Sequence, residues 1–589
     1  MDSVATKPRT CFPCELRHAL GWRPPTEMDR FHAAYRTLLL LRFLLALAPG
    51  YLHPDEYFQS FEPAASLALS VHAEPPAWEW APATASSRPI RSWLVPVLSC
   101  ALPMRLMAAL ARVFGPDLPS IDGALLLWAT RLWMCTLSLL QDACLVGVCR
   151  ANVWPVRPAL LTFASCWPTL VLSSRPFSNT LESLALALAL LVATRAPPDA
   201  RPDRDTLLGA LLAAGCMCRF TFVLFWLPLL GLPLPGSALA TTGTAAAARA
   251  AAVRVPRLLQ GALPTAAALL LLDCWLHGGE CRGAPWRCIA PLNALLYNID
   301  PTNLQRHGLH PRASHLLLHL PLLLGPAALL PAAEAMARAA RLVAPRGGGG
   351  GPASLATAVG TMAARRGAVL RGLLLLPLAA LSCAPHQEAR FLLPLLLPAA
   401  ALYGAPLGRR RALVALHLAF HLAAAAFFGG VHQAGLARLL PHVGRMPAAR
   451  TTFFAYTYMP PGALLGRQDG APHRIVDLSE APLAQLAAAL AASWRASDAP
   501  PQLALPAALR PALEAELARL GRCGGWRAAL PWRRRRRLQL VRLRSFWPHF
   551  SAELLGELLR MDEGRAHIAT ALTLDLLELR CAAGVPNTV

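Results

Sequence analysis

The chain has 589 residues, of which 55% are hydrophobic and only 15% charged, and a mean hydropathy of +0.41. A soluble globular chain carries about 25% charged residues, so the composition excludes that class, along with disordered, collagen-like and small disulfide-stapled proteins. The formal charge of +23 comes with one lysine, Lys7; the arginines that supply the rest sit between long apolar runs, which points to membrane topology and away from nucleic acid.

Residues 1–36 read as a cytosolic N-terminal segment; its Cys11-x-x-Cys14 has no second pair at zinc spacing. The run Thr37–Leu52 reads as an uncleaved signal anchor. Further apolar runs lie near Trp93–Ala111, Ile121–Val148, Ala159–Leu172, Phe177–Thr194, Leu207–Leu234, Leu258–His277, Ala313–Leu330, Val369–Ala384, Phe391–Ala405 and Ala412–Gly430. About 20 apolar residues cross a bilayer, so the expected fold class is an all-α polytopic membrane protein. It has about nine to thirteen transmembrane helices within residues 37–430, and large luminal loops.

Arginines set the orientation. Arg195, Arg201 and Arg204, then Arg249, Arg254 and Arg257, then Arg338 to Arg371, then Arg409–Arg411 lie between runs and are expected on the cytosolic side. The loops 53–92 and 278–312, and the segment around His386, then fall on the luminal side. Parity makes residues 431–589 luminal as well; the Arg533–Arg537 run does not oppose this, because long segments translocate largely regardless of charge. Gly347–Gly351 reads as a flexible tether. Cys274, Cys281 and Cys288 beside the second loop, and Cys523 with Cys581, are candidates for disulfides in an oxidising lumen.

Polar residues cluster on one side of the membrane. After the first run comes HPDEYFQSFEP, with His53, Asp55, Glu56, Gln59 and Glu62. Neighbouring carboxylates push their pKa values apart, which suits one of them to act as a general base. The same loop continues through Trp78-Glu79-Trp80 to Arg91. Arg175 to Glu182 form a polar cluster at a span boundary, and Glu182 calls for a partner such as Arg175 or Arg219. The second loop, YNIDPTNLQRHGLHPRASH, gathers Arg306, His307, His310 and Arg312, a composition suited to a phosphate monoester. A metal at His307 and His310 is the competing reading, without any HExxH-like pattern to support it. The third cluster is HQEARFLLP, with His386, Glu388 and Arg390; its acid and arginine can simply pair.

Taken together, HPDEYFQ, WEW followed by IRS, FSNTLE and HQEARFLLP resemble the glycosylphosphatidylinositol (GPI) mannosyltransferases of glycosyltransferase family 22. YNIDPTNLQRHG and YTYMPPGALL resemble the branch that adds a fourth, side-branch mannose. The resemblance covers residues of about 35 to 465; residues 466–589 carry none.

This resemblance implies a GT-C architecture in the endoplasmic reticulum membrane, with a luminal active site. It implies an inverting enzyme that uses dolichyl phosphate mannose as donor, the third mannose of the GPI glycolipid as acceptor, and an α1,2 product bond. Asp55 matches the family's first-loop acid and takes the role of base, with Glu56 as the alternative. His53, Arg91, Arg306, His307, His386, Glu388 and Arg390 are the candidates for binding the donor phosphate and substrate. The scheme needs no cofactor and no metal. A related dolichyl-phosphate-mannose transferase, for the third GPI mannose or an N-glycan precursor, is the alternative. A transporter or scramblase is less favoured, because the polar clusters lie at one face rather than at mid-membrane.

Overall fold

The computed structural model describes residues 27–71, 77–80, 88–114, 122–195, 203–231, 244–334, 336, 355–446, 450–466, 473–496, 499–520, 536–554 and 568–583. Cys11, Cys14, the Gly347–Gly351 tether, most of the Arg533–Arg537 run and Cys523 lie outside the described residues.

The first helix, Glu27–Leu47, starts within the segment expected to precede the membrane. Glu27 and Asp29 occupy its first turn, where acidic groups suit the positive helix end. Among the described residues six helices are long and apolar enough to cross a membrane: Leu94–Val113, Gly123–Ala151, Arg254–His277, His315–Glu334, Ala389–Gly408 and Arg411–Gly430. A seventh span is available if Trp167–Ser174 and Ser178–Thr194, bent by 113°, count as one. The expectation of nine to thirteen spans also counted shorter or more polar helices, namely Glu27–Leu47, Asp203–Cys218 and Gly367–Ser382.

A buried charged pair ties two helices of the bundle, an arrangement that a low-dielectric interior favours. Arg42 is fully buried and meets Asp142 at 3.2 Å and Ser138 at 3.2 Å, while the Tyr35 hydroxyl donates to Asp142 at 2.6 Å. Close helix packing rests on small residues. A Cβ on Gly209 would strike the Leu258 carbonyl, and one on Gly261 would strike that of Thr206.

Residues after the last span depart from the all-α reading, which covers the membrane part. They build a five-stranded sheet in the order β2-β1-β3-β5-β4. β1 (Thr451–Phe454) pairs in parallel with β2 (Arg474–Asp477) and β3 (Gln502–Pro506). β5 (Leu574–Ala583) runs antiparallel to β3 and β4 (Arg536–Phe546). Alternate residues on a strand face opposite ways, and both faces of this sheet are used. Leu503, Leu505, Leu577 and Leu579 pack on the helices Leu483–Ala496 and Arg510–Arg519 through Leu486, Leu490 and Leu513. Phe454, Ala504, Leu574 and Leu576 instead join Tyr51, Phe61, Leu436 and Leu440 in a second core.

That second core places the sheet on the membrane face that carries the first loop. The backbone reinforces the placement, with Tyr51 N–H donating to His432 O at 2.9 Å and Gly50 N–H to Gly429 O at 2.7 Å. The second loop joins the same face, because the Asn293 amide donates to Pro89 O at 2.9 Å. It is closed by the Cys281–Cys288 disulfide, a pairing within the expected cysteine trio.

Candidate active site

A cavity of about 900 Å³ opens between the first loop, the second loop and the HQEAR segment. Pro54 starts a helical turn in which Glu56 N–H donates to His53 O at 3.0 Å and Tyr57 N–H to Pro54 O at 2.9 Å. Successive residues on such a turn point about 100° apart, and residues four apart share a side. Asp55 and Gln59 therefore face the cavity together, with the Gln59 amide donating to the Asp55 carboxylate. Glu56 faces the other way.

Arg390 is the hub. Its Nη2 lies 2.6 Å from Asp55 Oδ2, and its Nε and Nη2 meet Glu388 at 2.5 and 2.9 Å. The guanidinium is flanked by the rings of Phe177 and Phe391, at 5.5 and 5.7 Å. His386 reaches Glu388 at 2.9 Å, and His53 sits 3.3 Å from Asp55 and 3.8 Å from Glu388. Gln387 is fixed behind this group, accepting from His315 N–H at 2.8 Å and donating to the Arg312 carbonyl at 3.2 Å.

Charge states follow from this geometry. Burial alone would raise the Asp55 carboxyl, but the Arg390 guanidinium, helped by His53, overrides it and holds Asp55 below the usual carboxylate range. Glu388 behaves alike: burial is outweighed by Arg390 and His386. The hydrogen bond to Glu388 raises His386. Glu79 is raised by burial against the pull of Arg91, which it meets at 2.6 Å. Burial lowers His307.

Of the residues expected at the site, His53, Asp55, Arg91, His307, His386, Glu388 and Arg390 all line the cavity. Two do not. Glu56 is fully buried beneath it, 2.6 Å from Arg131 and 3.9 Å from Arg175, so it cannot reach a substrate there as the alternative base. Arg306 is exposed at the end of the short helix Pro301–Gln305 and does not line the cavity; helical geometry turns it away while His307 turns in.

Arg219 lines the cavity instead. Sequence reasoning weighed it only as a partner of Glu182, which it meets at 3.5 Å, and it also donates to Ser178 at 3.2 Å and lies 4.8 Å over Phe391. The signal was present: an arginine directly after the apolar helix Asp203–Cys218. Arg390 Nη1 is buried without a hydrogen-bond partner, and Arg219 Nε has only the 3.5 Å ion-pair approach of Glu182. Unsatisfied buried donors on cavity-lining arginines are what an anionic ligand would complete.

Metal-ligating groups gather elsewhere. Cys166, His417 and His421 converge within 4.8 Å in the helix pack. Both ring nitrogens of His421 are already engaged, by Trp167 N–H at 3.1 Å and Leu324 O at 3.3 Å, so the group ties three helices together.

The Alg9-like mannosyltransferase family matches residues 33–458. A human protein named GPI alpha-1,2-mannosyltransferase 4 is 34% identical over 470 residues, covering 75% of this chain and 77% of its own length. GPI mannosyltransferase 4 of Candida albicans is 27% identical, covering 74% and 82%. The crystal structure of ArnT from Cupriavidus metallidurans bound to undecaprenyl phosphate matches with a TM-score of 0.45 at 11% identity. That match covers 82% of this chain and 94% of ArnT.

Proposed function

The chain belongs to the Alg9-like mannosyltransferase family, and we propose that it transfers the fourth mannose of the GPI precursor, in α1,2 linkage, from dolichyl phosphate mannose to the third mannose. The chain is a glycosyltransferase, and its relatives carry GPI mannosyltransferase names. The observation that carries the reading is a carboxylate, Asp55, and two incompletely satisfied guanidinium groups, Arg219 and Arg390, facing one cavity.

The chemistry divides between those groups. The acceptor 2-hydroxyl gives its proton to Asp55, and its oxygen attacks the anomeric carbon of the donor mannose. The bond from that carbon to the phosphate oxygen breaks, and dolichyl phosphate leaves with the electron pair. Attack opposite the leaving group converts the β-linked donor into an α-linked product. Charge growing on the phosphate is met by Arg219 and Arg390, with His386 beside them.

Arg390 has two claims on it. It neutralises Asp55, which makes that carboxylate a poor base. A donor phosphate competes for the same guanidinium through the unsatisfied Nη1, and Asp55 regains basicity as its counterion is shared. Base activation is thereby tied to donor occupancy.

The Cys281–Cys288 disulfide supports an oxidising, luminal side for the loops and thus an endoplasmic reticulum location. The test is transfer from labelled dolichyl phosphate mannose to a three-mannose GPI acceptor in membranes containing the full chain. A four-mannose product is expected; its absence with active donor and acceptor present would refute the reading.

A further inference from the structure

Trp78 stands at the cavity mouth with 48% of its surface exposed. It belongs to the three-residue turn Trp78–Trp80, whose other members are buried. The Glu79 carboxylate accepts from Gln59 at 3.0 Å, and the Trp80 indole donates to Phe58 O at 3.1 Å. The turn is therefore anchored on both inward-facing side chains, and Trp78 is the one left facing outward.

The second loop backs it. The Tyr297 ring centroid lies 4.8 Å from Trp78, and the His307 ring lies 5.6 Å away. The Tyr297 hydroxyl and His307 Nε2 are hydrogen-bonded at 2.9 Å, which locks the two supporting rings together. Two loops far apart in sequence thus build one aromatic ledge, and all three rings line the cavity.

The ledge borders the Asp55–Arg390–Glu388 group by two routes. Gln59, which holds Glu79, also donates to Asp55. His307 lies 5.9 Å from the His386 ring, and His386 holds Glu388. Arg219 lies against Ser178 and Glu182, residues that the ledge does not touch. A sugar that presents a hydroxyl to Asp55 would carry its neighbouring ring onto the ledge.

We propose that Trp78, supported by Tyr297 and His307, is the platform for the glycan of the acceptor, stacking against the apolar C–H face of a mannose ring. The face of an aromatic ring carries negative charge density and attracts positively polarised hydrogens. An indole held rigid before binding adds contact area at small entropic cost. This proposal rests on the mannosyltransferase reading and deepens it.

The experiment measures transfer in membranes containing the full-length wild-type or variant chain, with acceptor and donor concentrations varied separately. Trp78→Ala should raise KM for the three-mannose acceptor about tenfold, the equivalent of about 1.4 kcal/mol, with KM for dolichyl phosphate mannose unchanged. Trp78→Tyr, which keeps an aromatic face, should recover most of the loss and provides a second reading if the alanine variant accumulates poorly. A soluble oligomannoside lacking the lipid should inhibit the wild type competitively against acceptor and inhibit Trp78→Ala much less. An unchanged acceptor KM, or donor and acceptor KM rising together, would overturn the platform while leaving wild-type transfer intact. Absence of transfer in the wild type would instead strike the underlying reading.

Discussion

Asp55 and Glu56 are neighbours in sequence, and each ends in a cluster of acid and arginine. Asp55 shares Arg390 with Glu388 at the wall of a cavity. Glu56 is enclosed with Arg131 and Arg175, all three fully buried, and Arg131 also donates to the carbonyls of Ala48 and Gly50 at 2.8 and 2.9 Å. The ingredients match and access differs. The open cluster faces a cavity, whereas the closed one holds the first helix, the first loop and Gly123–Ala151 together. Proximity of charges at a membrane boundary therefore does not identify a site; a path to the charges does.

The sharpest way to break this comparison is to neutralise each acid in turn. Asp55→Asn should reduce transfer by about 10²–10⁴-fold, the usual scale for a lost general base, while protein level and detergent stability stay near wild type. Substantial residual transfer would remove Asp55 from the role of base. Glu56→Ala should show the opposite profile. It strands two buried guanidinium groups, at a cost of about 3–5 kcal/mol, read as a large fall in thermal stability and accumulation. Normal stability with lost turnover would place Glu56 in the chemistry and erase the distinction.

Arg390 tests the open cluster itself. Lysine keeps the charge but loses the fork that grips two carboxylates, so Arg390→Lys should cut kcat/KM for donor by about 10–100-fold if one or two charge-assisted hydrogen bonds are lost. A pH profile sharpens this. In the wild type Asp55 is held below the usual carboxylate range, so it stays ionised well into acid and adds no limb near neutrality. In Arg390→Gln the burial that raises the carboxyl acts unopposed by the guanidinium. The acid limb of kcat/KM should then move to higher pH, with activity lost as pH falls through it. An unmoved limb would disconnect Arg390 from the protonation of Asp55.

The sequence made much of this legible, for identifiable reasons. Apolar run lengths located the helices long and apolar enough to cross a membrane, though fewer of them than expected among the described residues, and HPDE, WEW and HQEAR marked three of the segments that meet at the cavity. The opposed fates of Asp55 and Glu56 were not separated, since both stood as candidate bases, although DEYFQ puts Asp55 and Gln59 four apart on one side of a turn. Arg306 was overvalued for a related reason: its one-residue offset from His307 faces it away from the cavity. Arg219 was undervalued because its place beside Phe391 depends on a contact between segments far apart in the chain. The C-terminal sheet was not legible either. Its strands are short or broken by arginines, as in Arg536–Phe546, so no alternating run stands out until both faces find partners.

A smaller effect tests whether a third acid belongs with the closed cluster. Glu62 is buried and accepts from Ala463 N–H at 3.3 Å, tying the first loop to the MPPG segment that leads into the C-terminal region. Burial raises its pKa to about 7, against the pull of the backbone donors at Ala463 and Gly462. The folded chain then binds the proton more tightly than the unfolded chain does, so stability should fall as pH rises from about 4.5 towards 7. Glu62→Gln keeps an acceptor oxygen without the charge. It should flatten this slope in thermal unfolding of the detergent-solubilised protein, while leaving kcat at neutral pH within a few fold. A slope that persists in Glu62→Gln would assign the pH dependence to other groups; a large loss of turnover would move Glu62 from the closed cluster to the open one.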